Sequence, residues 1–318
     1  MRAVRYHEYG DPDVLDVETI DRPEPRDDEL LVEVHAAAVN PVDTYFRSGV
    51  YTPAGLPMTP GADLAGIVTA VGPAVESLEP GDRVFGTGLG RDRQGTYAEY
   101  AVGPEEMFAR LPPDISFSEG AAVALVGVTS WRALIDHAGL ELGDTCLVHG
   151  GSGGVGHVAA QLAAAAGADV IATARPAYHE RLEALGVTHP FDYRREDLAE
   201  AVIDVGRPDV ILDHRLDEYL QFDATVGHVG TRVVGIGNTT PQAGFEDVAA
   251  ARGKDLKLLL MSMFNTPSFR PILSQLATRL EAGDLQPEIA RTYDLADAAF
   301  AQRAVLDEQF IGKLVIQP

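Results

Sequence analysis

Residues Cys146–Pro176, CLVHGGSGGVGHVAAQLAAAAGADVIATARP, decide the fold. The stretch reads as a strand, a glycine turn, an alanine-rich helix and a second strand. Gly151, Gly153 and Gly156 form G-x-G-x-x-G. Alone the motif is weak, but here it follows an apolar strand and opens a helix, the context in which it holds a dinucleotide. Gly151 is expected to permit the tight turn, Gly153 to leave room for a pyrophosphate, and Gly156 to let helix and strand lie close. The helix start, Ser152, Gly154 and Val155 included, offers N–H groups and a partial positive charge to an anion. The alternative is a glycine-rich turn with a purely structural role.

The end of the second strand speaks to which dinucleotide. An Asp or Glu there accepts hydrogen bonds from the ribose hydroxyls of NAD. This strand ends Ala174-Arg175. No acid repels a 2′-phosphate, and an arginine can pair with one in two-pronged geometry. NADP(H) is therefore the expected cofactor, against the alternative that Arg175 is a solvated surface residue.

Working outward, strands are expected at 145–149, 169–174, 188–192, 209–213, 231–236 and about 256–262, with helices near 154–166, 177–185, 195–204 and 217–226. Such alternation implies a doubly wound parallel sheet of the Rossmann kind. The first 120 residues are instead β-rich, with short apolar runs at 29–39, 64–72, 81–88 and 95–102 bounded by Gly or Pro. A helix is expected to begin near Ser116 or Ser118. The expected class is α/β with two domains: 1–122, a β-rich domain to which 265–318 returns, and 123–264, the cofactor domain.

There are 48 acids against 25 bases, a formal net charge of −23. Only Lys254, Lys257 and Lys313 are lysine. This pattern resembles proteins adapted to molar salt, which screens self-repulsion, and it argues against nucleic acid as a partner. No apolar run reaches membrane-spanning length and the first residues carry no secretory pattern, so a cytoplasmic location and no membrane partner are expected. The single cysteine, Cys146, excludes an intrachain disulfide and reads as a buried strand residue.

The pieces AAAVNPVDTYFRSGVY (36–51), TPGADLAGIVTAVG (59–72), GDRVFG (81–86), GTYAEY (95–100), GVTSW (127–131), HGGSGGVG (149–156), FDYRRED (191–197) and the ending GKLVIQP occur in one order along the chain. In this the chain resembles the medium-chain dehydrogenase/reductase superfamily, and within it the zinc-independent quinone oxidoreductases of the zeta-crystallin group. The resemblance implies a GroES-like catalytic domain, a Rossmann domain and a homodimer. Where zinc-dependent relatives place a first Cys this chain has Asn40, and where they have Gly-His-Glu it has Gly61-Ala62-Asp63. With one cysteine neither zinc site of the superfamily is expected, so no metal site is assigned.

Carried over residue by residue, the resemblance places Asn40, Tyr45 and Tyr51 in the catalytic cleft. It places Thr129 against the cofactor, Tyr193 beside Arg175 near the 2′-phosphate, and Gly237 and Asn238 near the nicotinamide. From the residues alone, Asn40 could equally hold a turn before Pro41, and the tyrosines could be ordinary half-buried aromatics. After the fourth strand of the cofactor domain this chain departs from the family's small turn and reads LDHRLDEYLQF, putting His214 and Arg215 where ligands bind in such sheets. The implied reaction is hydride transfer from NADPH to a small electrophilic acceptor, a quinone or conjugated enone. The alternatives are an enoyl-thioester or alkenal reductase on the same scaffold, and an NADPH-binding protein with a structural or regulatory role.

Overall fold

In a computed structural model that describes all 318 residues, the chain divides into two units. The first comprises Met1–Val128, Thr266–Gly283 and Pro287–Pro318; the second comprises Thr129–Asn265 and Asp284–Gln286.

The amino-terminal part of the first unit is built of short strands. β1 (Arg2–Arg5) pairs antiparallel with β2 (Asp16–Thr19). β3 (Glu29–Val39) is the longest strand, buried along most of its length because both its neighbours and the core cover it. The first helix, α1 (Pro41–Ser48), interrupts the strands. It was not legible in the proline-rich stretch, yet its signal is there: Pro41 fits a first helical position, and the Asp43 carboxylate accepts the Asn40 N–H at 2.9 Å. β4 (Leu64–Val71), β5 (Arg83–Gly86), β6 (Tyr100–Pro104) and β7 (Phe108–Arg110) follow. The run expected as a strand at 95–102 is one only from Tyr100. Gly95 and Thr96 donate instead to the carbonyls of Thr59 and Gly61, so their backbone groups are spent on a loop.

α2 (Phe117–Trp131) starts at Ser116. The Ser116 hydroxyl accepts the Glu119 N–H at 3.2 Å, and the Glu119 carboxylate accepts the Ser116 N–H at 2.8 Å, a reciprocal cap. The helix continues into a π-helical turn, Arg132–His137.

The second unit alternates strand and helix as the sequence predicts. β8 (Thr145–Val148), α3 (Gly154–Ala165), β9 (Asp169–Thr173), α4 (His179–Ala184), β10 (His189–Phe191), α5 (Leu198–Val205), β11 (Val210–Asp213), α6 (Leu216–Val226), β12 (Arg232–Gly235), α7 (Val248–Gly253) and β13 (Lys257–Leu260) occur in that order. The sheet runs β10-β9-β8-β11-β12-β13, parallel throughout. The order reverses between β8 and β11, the switch point at which ligands bind in doubly wound sheets. Leu147, Ile171, Ile211 and Val233 from the inner strands pack with Val202 and Leu220 of α5 and α6, which explains why these strands read as continuous apolar runs.

The chain then returns to the first unit with α8 (Arg270–Ala282), β14 (Ile289–Asp294), α9 (Ala298–Asp307) and β15 (Lys313–Gln317). The order of its sheet is β14-β15-β3-β4-β5-β7, with β6 on β3. β15 pairs antiparallel with the end of β3, Leu314 opposite Val39, and this register brings Lys313 to Asn40.

Candidate functional site

The glycine turn follows β8 directly. Its left-handed residue is Gly150, at φ +66°, not Gly151 as the motif suggests. Gly151 is constrained sterically: a Cβ there would lie 2.8 Å from that of Ala172 on β9. A Cβ on Gly156 would come within 2.1 Å of the Gly150 carbonyl, so α3 can approach the turn only as glycine. Gly153 caps α3 with no side chain over the helix end. A Cβ on Gly153 would meet nothing but the Gly150 carbonyl, at 3.2 Å, which leaves its outer face clear. Ser152, Gly154 and Val155 complete a half-buried cradle whose first-turn N–H groups have no partner inside the helix. The shape and the donors suit a diphosphate.

Arg175 stands just past β9, and its Nε donates to the Tyr193 hydroxyl at 3.2 Å. The structure thus brings together two residues that the family resemblance places side by side. Nearby, Arg194 is held by Asp192 at 2.8 Å and Arg195 by Asp197 at 2.8 Å, whereas no carboxylate holds Arg175. Thr129 is buried near the end of α2. Past β12, Gly237 passes so close to the connection between β11 and α6 that a Cβ would lie 2.6 Å from the His214 carbonyl. The exposed Asn238 side chain donates to the Thr240 carbonyl and ties down its own loop. The His214 ring lies over Gly150, where a Cβ would meet it at 2.7 Å.

In the first unit, Tyr45 and Tyr51 are 36% and 45% exposed, with rings in edge contact at 5.7 Å and 87°. A backbone bond from the Tyr51 N–H to the Tyr45 carbonyl ties the loop after α1 to the helix. Asn40 is placed differently from the expectation that grouped it with them. It is 1% exposed, and both ends of its amide are engaged. Its Nδ2 donates to Asp63 at 2.8 Å, and its Oδ1 accepts from the Lys313 ammonium.

Two family models match the chain: the alcohol dehydrogenase GroES-like domain over residues 26–113 and the zinc-binding dehydrogenase domain over 185–316. Human quinone oxidoreductase is 34% identical across 99% of this chain and 97% of its own length. The chain belongs to the quinone oxidoreductase family of medium-chain dehydrogenase/reductases. Among solved structures, an NAD-dependent alcohol dehydrogenase superposes with a TM-score of 0.93 at 33% identity, covering all of both chains. Escherichia coli quinone oxidoreductase complexed with NADPH gives 0.89 at 26% identity, again over all of both chains. As a member of this family the protein is an oxidoreductase that uses a nicotinamide cofactor, and its α/β architecture, a GroES-like β-rich domain with a Rossmann sheet, is the family's. No helix is long and apolar enough to cross a membrane.

In this member of the family the positions of Asn40 and Asp63 are joined to each other and to a lysine. Lys313 is 3% exposed and also donates to the Val39 carbonyl at 2.8 Å. Asp63 accepts the Leu125 N–H at 3.0 Å. Asp43 is buried beside them and accepts the Tyr97 hydroxyl at 2.9 Å. Burial pushes Asp43 up to about 7 and Asp63 up to about 6, while the Lys313 ammonium pulls both back. Burial in turn lowers Lys313. Neither role is legible in the local sequence around Asp43 or Lys313. The available signal was rarity: with three lysines in the chain, one inside an apolar strand has to answer a buried charge.

Proposed function

We propose that the protein transfers hydride from NADPH to a quinone or conjugated enone and needs no metal to do so. The observation that carries the cofactor choice is Arg175, a guanidinium free of carboxylates at the end of β9 and hydrogen-bonded to Tyr193. It is suited to grip a 2′-phosphate that an acid at this position would repel. Gly151, Gly153 and Gly156 give the diphosphate room, and the α3 amino terminus supplies N–H donors. When bound, the nicotinamide supplies the hydride. An acceptor that takes hydride becomes an oxyanion or enolate. The accessible phenols of Tyr45 and Tyr51 donate hydrogen bonds to that oxygen, and solvent returns one proton, completing a two-electron reduction.

In this reading Asn40, already spent on Asp63 and Lys313, orders the start of α1 rather than touching the acceptor. Asn40 and Asp63 stand where zinc-dependent relatives carry ligands, and their bond to each other supports a metal-independent reaction. The open edge strand β13, with Leu258 and Leu260 40% and 68% exposed, supports a homodimer, because an unpaired apolar edge invites a second copy.

Stopped-flow oxidation of NADPH against quinones, enones and enoyl-thioesters tests the acceptor class. Cofactor titration tests the rest: NADPH should bind more tightly than NADH, and Arg175→Ala should erase most of the difference. Equal binding of both by the wild type would overturn the assignment. Prolonged chelation should leave turnover unchanged; stoichiometric zinc in active protein would refute metal independence.

A further inference from the structure

Beneath the glycine turn lies a set of buried polar groups that no contact with a diphosphate would use. His149, the residue between β8 and Gly150, is 3% exposed. Its Nε2 lies 2.8 Å from Asp223 Oδ1 and its Nδ1 3.5 Å from Thr173 Oγ1. Thr173 ends β9 and touches the turn twice. Its hydroxyl oxygen accepts the Gly150 N–H at 3.1 Å, and its carbonyl accepts the Gly151 N–H at 2.8 Å. The His149 ring stacks on Tyr219 of α6 at 4.4 Å and 8° and meets the edge of Phe222 at 5.6 Å.

Asp223 of α6 and Asp213 at the end of β11 are both 0% exposed. Asp213 Oδ1 accepts the Arg215 N–H at 2.7 Å. The other two oxygens, Asp213 Oδ2 and Asp223 Oδ2, are buried with no hydrogen-bond partner, and the two carboxyls influence each other's ionisation. No cationic side chain enters the cluster, since the Arg215 guanidinium pairs with Glu218. The titratable and charged groups around the pair are therefore His149 from the turn after β8, His214 and Arg215 from the connection between β11 and α6, and Glu218 and Tyr219 from α6.

Two ionised carboxylates cannot face one another out of water without a cation or a proton between them. Burial lowers His149 to about 4, so the imidazole is neutral at working pH. Its Nε2–H then donates to Asp223 while Nδ1 accepts from the Thr173 hydroxyl. The compensating proton resides on the carboxyls. Burial raises Asp213 to about 7 and lifts Asp223 well above its ordinary range.

We propose that His149, Asp213 and Asp223 are positioning residues for the dinucleotide turn, and that the proton shared by the two carboxyls is linked to cofactor binding. The proposal rests on the turn being the dinucleotide cradle. Loss of the proton adds a negative charge under the segment that must receive a diphosphate, and it strains the line of hydrogen bonds through His149 and Thr173 to Gly150. Either nicotinamide dinucleotide then binds less tightly. By linkage, the bound anion holds the proton on the pair, so affinity falls as pH rises through about 7.

The test is the dissociation constant of NADH and of NADPH, by fluorescence titration of the full chain between pH 6 and 8.5. NADH serves because it lacks the 2′-phosphate, whose own ionisation near 6 would add a slope of its own. Wild-type Kd should rise about fivefold for both cofactors, within the tenfold per pH unit that one linked proton permits. Asp223→Asn, whose amide donates at every pH, should flatten the rise, and His214→Gln should keep it. A flat wild-type Kd for NADH, an unchanged slope in Asp223→Asn, or loss of the slope in His214→Gln would each overturn the proposal. Calorimetric titration of the wild type with NADH at pH 8 in two buffers of different ionisation enthalpy needs no variant. Proton uptake supports the linkage, and its absence refutes it. Failure of the wild type to bind either dinucleotide would bring down the cradle itself, and this proposal with it.

Discussion

Each unit buries two aspartates, and the two solve the resulting problem differently. Asp43 and Asp63 lie near the Lys313 ammonium, which reaches them across Asn40. Asp213 and Asp223 have a neutral imidazole and each other. A cation compensates buried carboxylates over a wide pH range, whereas a proton does so only while it stays bound. The first arrangement keeps a counter-charge in place as its carboxylates ionise. The second makes its surroundings responsive to pH, and it sits under the cofactor turn.

The largest expected effect comes from breaking the first arrangement. Lys313→Met leaves two buried carboxylates without their cation, and removing one partner of a buried charged set costs about 3–5 kcal/mol. The melting temperature should fall by roughly 6 °C or more on that basis. Adding Asp63→Asn should recover part of the loss, and a strictly additive double variant would show that the lysine and the aspartate do not interact.

A pH scan of stability sharpens the contrast. Asp43, Asp63 and Asp213 are raised by burial to about 7, 6 and 7. Their contribution is present in full below about pH 4, where unfolded aspartate is also protonated, and is lost as pH climbs to the folded values. Denaturant midpoints should therefore decline between pH 4.5 and 7.5, and Asp213→Asn should make the decline shallower. A slope unaltered by that substitution would remove the proton from the account of the second unit.

Arg175→Ala should raise the NADPH dissociation constant about tenfold or more and leave NADH unchanged, since a charge-assisted phosphate contact is worth roughly 1.5–3 kcal/mol. That isolates surface recognition in the second unit from its buried cluster. Tyr51→Phe should lower kcat by about tenfold or less with NADPH affinity intact, because water can replace part of an accessible donor. Unchanged turnover would leave only packing for this ring. Smallest per charge is the salt effect. With a net charge of −23, melting temperature should increase from dilute to molar potassium chloride, and a flat profile would contradict adaptation to salt.

Much of the second unit was legible because its signals are local. An apolar run, a glycine turn and an alanine helix each announce themselves within ten residues, and the strand positions shifted by only a residue or two at their ends. The turn chemistry was less so: the motif pointed to Gly151, while the positive φ falls on Gly150, since backbone geometry depends on how Thr173 and His214 close around it. In the first unit α1 was masked by the prolines around it. The buried lysine was hidden for a different reason. Lys313 and Asn40 are 273 residues apart, and only the antiparallel register of β15 on β3 makes them neighbours. Asp223 likewise reads as one polar residue on a helix until α6 is laid against β8.

Cys146 gives the molecule an internal clock. It is the chain's one thiol, fully enclosed in β8, and burial pushes it up to about 12. Thiolate is the reactive form, so an alkylating reagent can modify the native protein only during excursions that part the middle of the six-stranded sheet. The labelling half-life then times those excursions. Because the same strand runs into the turn four residues later, a bound dinucleotide should lengthen that half-life by the factor 1 + [L]/Kd, reporting binding without any optical signal from the cofactor.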